Sequence, residues 1–146
     1  MTRHPSAMDR ASSSLNPRER EVLAMALLRG AQQYGVSTEE LFQVVGVREG
    51  TLKALRRGSR ELVLHDKQVE LALLFLRVFR SLDVLVGGED KQAAQRLRAH
   101  NHPLRGVPVD RMKGIEGLVR VAEYLDAMRG GVYPDGALSA GFSRRS

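Results

Sequence analysis

The sequence predicts an all-α protein, and three observations predict it. Apolar residues recur at alternating spacings of three and four, the period of one helix face. Helix starts are marked by cap residues such as Asn16 and Ser37, and helix stops by glycines such as Gly35, Gly46, Gly58, Gly87 and Gly130. No stretch shows the strict alternation of a strand pair.

The elements follow in order. The opening MTRHPSAMDRASSS lacks the apolar run of a signal peptide and reads as a flexible arm. Asn16 then caps a helix with Pro17 at its first position, and Glu19 stands where a capping-box acid reaches back. Val22, Leu23, Ala26, Leu27 and Ala31 continue it to Tyr34, and Gly35 stops it. Ser37 and Glu40 repeat the capping box for a second helix, whose apolar residues are Leu41, Val44 and Val45. Gly46 ends that helix. A third runs from about Arg48 to Arg57, with Leu52 and Leu55 inward and Gly58 as its stop.

Asp66 is the expected cap of the central helix, which contains Val69 to Val86. Ala72, Phe75, Phe79, Leu82 and Val86 line one face. Leu71, Leu74, Val78 and Leu85 fill the next, and Val69, Leu73 and Leu76 widen the stripe. A helix apolar around most of its circumference must be covered on several sides, by its own domain or by a second subunit. Glu70, Arg77, Arg80 and Asp83 interrupt the run, so it is not a membrane span, which needs about twenty mostly apolar residues. Asp90 to Ala99 predicts a further helix carrying Ala93, Ala94 and Leu97. The proline- and glycine-bearing HNHPLRGVPVD is an ordered turn or loop. A last helix spans Ile115 to Met128, with Leu118, Val121, Ala122 and Leu125 at its core and Ile115 and Met128 extending the stripe. The tail after Gly131 has no period.

Composition bounds the partners. The 146 residues allow one domain or two very small ones. With 23 Lys and Arg against 17 Asp and Glu the net charge is +6, which favours an anionic partner, nucleic acid first, although a soluble basic protein has the same balance. Cysteine is absent, which excludes disulfides and thiolate metal sites and suits a reducing cytoplasm. His100 and His102 lack a third ligand nearby, so no metal is expected. No phosphate-cradling or nucleophile motif appears. The expectation is no enzyme and no cofactor.

Ser37, Leu41, Val45, Gly46, Val47, Leu52 and Leu55, closing at Arg56-Arg57-Gly58, have helix-turn-helix spacing. Gly46 would permit a left-handed turn, and Val47, Leu52 and Leu55 would pin the second helix. Its other face, with Arg48, Glu49, Gly50, Thr51 and Lys53, would be free to enter a major groove, with Arg56, Arg57 and Arg60 placed for phosphates. Over Leu23 to Gly58 this resembles the Xre-type helix-turn-helix of phage repressors. Gly50 weakens such a helix by about 1 kcal/mol relative to alanine, and Glu49 repels phosphate while remaining able to accept from cytosine.

Further on, Ala94, Leu97, Asn101, Leu104, Gly106 and Pro108 are followed by Gly117, Val121 and Leu125, then Gly131-Val132-Tyr133. This is similar to the toxin-binding domain of the Xre/MbcA/ParS antitoxin family, though Arg96 stands where that family often has tryptophan. From the residues alone, Asn101 bridges backbone groups in a turn, Gly106 permits a backbone conformation other residues resist, and Pro108 fixes one.

The combined resemblance implies an antitoxin that neutralises a RES-domain, NAD-consuming toxin and binds its own operator. The toxin-binding residues it implies are Leu104, Leu118, Arg129, Val132 and Tyr133. The expected organisation is an arm (1–14), an Xre-like helix-turn-helix domain (15–65), a central helix and dimer interface (66–88), a toxin-binding domain (89–133) and a flexible tail (134–146). Homodimerisation is expected from the apolar surplus of the central helix. The alternatives are a DNA-binding repressor with a C-terminal dimerisation domain and no toxin, and a small hydrolase without a recognisable motif.

Overall fold

The computed structural model describes residues 15–58 and 62–130, and every regular element among them is helical. The order is α1 (Pro17–Gln33), α2 (Thr38–Val45), α3 (Glu49–Arg56), α4 (Asp66–Leu85), α5 (Asp90–Arg98), α6 (Pro108–Arg111) and α7 (Ile115–Arg129). None is long and apolar enough to cross a membrane.

Local chemistry sets the first two helices. The Glu19 amide donates to Asn16 Oδ1 at 2.8 Å, and the Asn16 amide donates back to Glu19 at 3.1 Å. Ser37 and Glu40 form the same reciprocal pair at the start of α2. Each box satisfies amide donors that the first helical turn leaves open. The third such box corrects the sequence expectation. Asp66 does not cap α4; His65 does, its Nδ1 accepting from the Gln68 amide while Gln68 Oε1 accepts from the His65 amide. Asp66 instead accepts from Arg20 of α1 at 2.5 Å.

α4 is the axis of the molecule. It packs most extensively on α7, then on α1 and α2, and it also meets α5. Val69, Ala72, Phe75, Val78, Phe79 and Leu82 are buried, and one continuous apolar cluster runs from Leu23 on α1 to Met128 on α7. Phe75 meets Phe79 edge-on, with ring centres 4.4 Å apart, and Tyr34 lies tilted against Phe79 at 4.7 Å. The Tyr34 hydroxyl donates to Asp83 at 3.2 Å; burial, then the Asp83 charge, push its pKa up to about 12. α1 comes close enough that a methyl group at Gly30 would meet the Phe79 ring at 2.7 Å. Phe75 and Phe79 are thus covered inside the chain, whereas Leu71, Leu73, Leu74, Leu76 and Leu85 of α4 are only partly buried.

Further differences are local. On α1 the buried stripe is Leu23, Ala24, Leu27 and Ala31, and Val22 faces outward. Phe42 joins the buried side of α2. The loop before α7 holds a short helix, α6, started by Pro108 at its first turn. Met128 is buried as expected, whereas Ile115 is 68% exposed.

Candidate functional site

Two surfaces contain the residues singled out in the sequence. The first is α2–α3. Gly46 takes φ 81°, and both its amide and that of Val47 donate to the Phe42 carbonyl at 2.8 Å, which closes α2 tightly. The Gly46 carbonyl accepts from Gln68 Nε2 at 3.0 Å, so the turn is tied to the start of α4. Leu52 is buried; Val47 and Leu55 pack partly on the core.

Arg48, Glu49, Lys53 and Arg57 are exposed and Thr51 is half-buried. Lys53 lies 3.8 Å from Glu49, an exposed pair worth only a few tenths of a kcal/mol and readily exchanged for another anion. Arg57 Nε folds back to the Lys53 carbonyl at 3.4 Å. Arg56 is the last residue of α3. Arg60 lies outside the described residues.

The second surface is built by α4 to α7. Arg77 of α4 pairs with Asp126 of α7, and Ser81 Oγ donates to the same carboxylate at 2.5 Å. Burial pushes the Asp126 carboxyl up, but the Ser81 hydroxyl and the Arg77 guanidinium outweigh it and hold the group below its usual range. The start of α7 is fixed by Gly117. A methyl group there would lie 1.7 Å from the Arg111 carbonyl oxygen, so only glycine lets α7 approach α6 this closely.

The preceding loop is ordered as expected. Asn101 and Gly106 exchange backbone bonds at 2.8 and 3.2 Å, and buried Asn101 Oδ1 accepts from the Leu104 amide at 3.1 Å. The left-handed residue, however, is Arg105 at φ 56°, not Gly106. The missing side chain of Gly106 serves space instead: a methyl group would meet Arg111 Cδ at 3.1 Å, and Arg111 Nε donates from there to the Leu104 carbonyl.

The structure separates the residues expected to meet a partner here. Leu104 and Leu118 are both buried in their own core, so in this arrangement they hold the fold and offer no surface. Arg129 is exposed at the end of α7. Val132 and Tyr133 lie outside the described residues. The large apolar side chains exposed in this half, among the described residues, are Val84 and Ile115. Sequence periodicity assigned Ile115 to the core because it fits the stripe; its place at the first position of α7, beyond the reach of α4's core face, is a tertiary fact.

The two surfaces are mechanically joined. Arg98 of α5 donates to both carboxylate oxygens of Glu40 at 2.6 and 2.5 Å and to the Gly35 carbonyl at 2.7 Å. That guanidinium holds the Glu40 pKa down at about 2. Gln33 adds a bond to Asp90 at 2.9 Å. Among the described residues no cluster of His, Asp and Glu is arranged to hold a metal ion.

Residues 81–131 match the family model of the antitoxin Xre/MbcA/ParS C-terminal toxin-binding domain. The match supports the antitoxin family indicated by the sequence, for a binding rather than a catalytic domain. It begins inside α4, at Ser81, and so takes in the Ser81–Asp126 bond and the last turn of that helix. No curated protein matches the chain.

Proposed function

We propose that this chain is an antitoxin that binds and silences a RES-domain, NAD-consuming toxin and represses its own operon through α2–α3. The observation that carries the reading is the match of residues 81–131 to a toxin-binding domain. The fold supports it. The matched segment forms a clamped unit of α4's end, α5, α6 and α7, attached to two short helices with cations on their exposed side. A toxin partner follows from the domain; the RES class follows from the sequence resemblance; operator DNA follows from α3 and the +6 charge. Homodimerisation belongs to this reading on the partly buried leucines of α4 and on symmetry, as two copies would meet a palindromic operator. The cytoplasm is where both partners would be met.

Co-expression with the toxin encoded beside it tests the first part. Cells making both proteins should keep growing and keep their NAD, while cells making the toxin alone lose it; NAD loss despite abundant antitoxin overturns the reading. For the second part, the full chain should shift a fragment of its own promoter. Affinity should fall steeply with salt as phosphate contacts release counterions, and Lys53→Glu should weaken it with the fold intact. Absence of a shift at low salt, with folded protein, removes DNA from the proposal.

A further inference from the structure

We infer that the toxin docks on an apolar edge formed by Ile115 and Val119 of α7 and Val84 of α4, bordered by Glu116 and Glu123. The inference rests on the antitoxin reading and specifies the surface it uses. Ile115 is 68% exposed and Val84 57% exposed, and Val119 between them in register is half-buried. Asp126 meets Arg77 and Ser81, while Leu82 shares a small space with Val121 and Leu125, so α4 and α7 run antiparallel. Val84 lies one turn beyond Ser81 on the face of α4 that meets Asp126. Ala122, Val119 and Ile115 precede Asp126 along one edge of α7. The two rows therefore converge on one strip.

Three facts select its occupant. Val84, Val119 and Ile115 all lie within the segment that matches a toxin-binding domain. The leucines first expected to make that contact are buried, which leaves the exposed apolar surface of the module to Val84 and Ile115. Glu116 and Glu123 line the shallow groove beside Ile115 together with Arg120 and with Asp110, which pairs with Lys113; acids outnumber the cations there. Arg111, in the same groove, is turned to the Leu104 carbonyl. The surface thus fits a folded protein offering an apolar hollow whose rim is mainly basic, with an acid for Arg120. Gly117 fixes the strip by holding the first turn of α7 against the Arg111 carbonyl. An exposed aliphatic centre with a charged margin is the arrangement in which the apolar contact gives affinity and the charges give orientation and association rate.

The experiment measures binding of the purified toxin from the same operon to the full chain by calorimetry. Ile115→Glu should weaken binding by about tenfold or more, and Val84→Glu in the same direction. Val22→Glu, at an exposed site on α1 outside the matched segment, should bind like wild type. All three positions are at the surface, and circular dichroism should show unchanged folding. Binding by folded Ile115→Glu within about twofold of wild type, or an equal loss in Val22→Glu, overturns the docking surface while leaving the antitoxin reading in place. A wild-type protein that does not bind the toxin overturns the antitoxin reading and this inference with it.

Discussion

The α2–α3 pair and the α4–α7 pair are both helix pairs, yet they are held by different means. α2 and α3 have eight residues each. Their joint is one left-handed glycine and a single side-chain bond from Gln68. α4 and α7 have 20 and 15 residues, share a buried face and are bolted by a shared carboxylate. The contrast shows in two glycines. Gly50 on α3 has nothing within 4 Å of where a methyl group would go, while Gly117 on α7 has a backbone carbonyl at 1.7 Å. One glycine is open to solvent and the other is required by packing. A lightly mounted α3 can adjust to a groove; a bolted pair keeps a partner-facing edge in place.

The largest expected effect is at the bolted pair. Gly117→Ala should cost about 3 kcal/mol or more, because the obstacle is backbone and cannot swing away. Chemical denaturation measures it, and a loss below about 1 kcal/mol would mean that α6 and α7 separate easily. Next is Asp126→Ala. It strips the partner from Arg77 and from buried Ser81, and about 2 kcal/mol should be lost. Ser81→Ala in the same background should then add little, since the two act on one bond.

How much of this was legible in the sequence depends on the range of the interaction. The boxes at Asn16–Glu19 and Ser37–Glu40 and the Gly46 turn are local, and the residues alone predict them. The α4 cap was misplaced by one residue because Asp is a commoner cap than His, and only the folded chain shows Asp66 committed to Arg20. Two prolines and a glycine predict an ordered turn or loop before α7. One of those prolines opens α6, and the strained residue is the neighbouring Arg105. The contacts that unite the molecule, Arg98 with Glu40 and Arg77 with Asp126, join residues 58 and 49 positions apart. No spacing rule reaches that far. For the candidate partner surface, helical period placed both Leu118 and Ile115 on the covered stripe of α7; Leu118 is buried there and Ile115 is exposed.

The joint between the two pairs supplies an intermediate effect. Arg98→Ala should cost about 1 kcal/mol, the pair being exposed on its arginine side. Its pH signature is specific. The Glu40 carboxyl is lowered from 4.5 to about 2 in the folded state, so its contribution is complete above 4.5 and is lost as pH falls toward about 2. In Arg98→Ala that acid-side loss should shrink, and the denaturation midpoints of the two proteins should converge as pH is lowered from 5 to about 2. Parallel curves would show that the ion pair is not what lowers the Glu40 pKa.

The smallest effect has the opposite sign and falls on the lightly mounted α3. Gly50 is exposed within α3, its backbone is helical, and a methyl group there meets nothing. Alanine at that position reduces the conformational freedom of the unfolded chain and adds no clash, which should stabilise the protein by about 0.5–1 kcal/mol. A chain of this length should melt about 1–4 °C higher. The same substitution in α7 is the most damaging one named above, so the two variants measured together test whether α3 is an open surface and α7 a packed one. If Gly50→Ala stabilises the chain and leaves promoter binding unchanged, the glycine is a tolerated weak point. If it stabilises the chain but abolishes the promoter shift, the missing methyl group is the space into which the DNA edge fits, and the weak helix is there for the contact. A destabilised Gly50→Ala protein would show that α3 packs against another part of the protein, and the comparison between the two pairs would fail at that point.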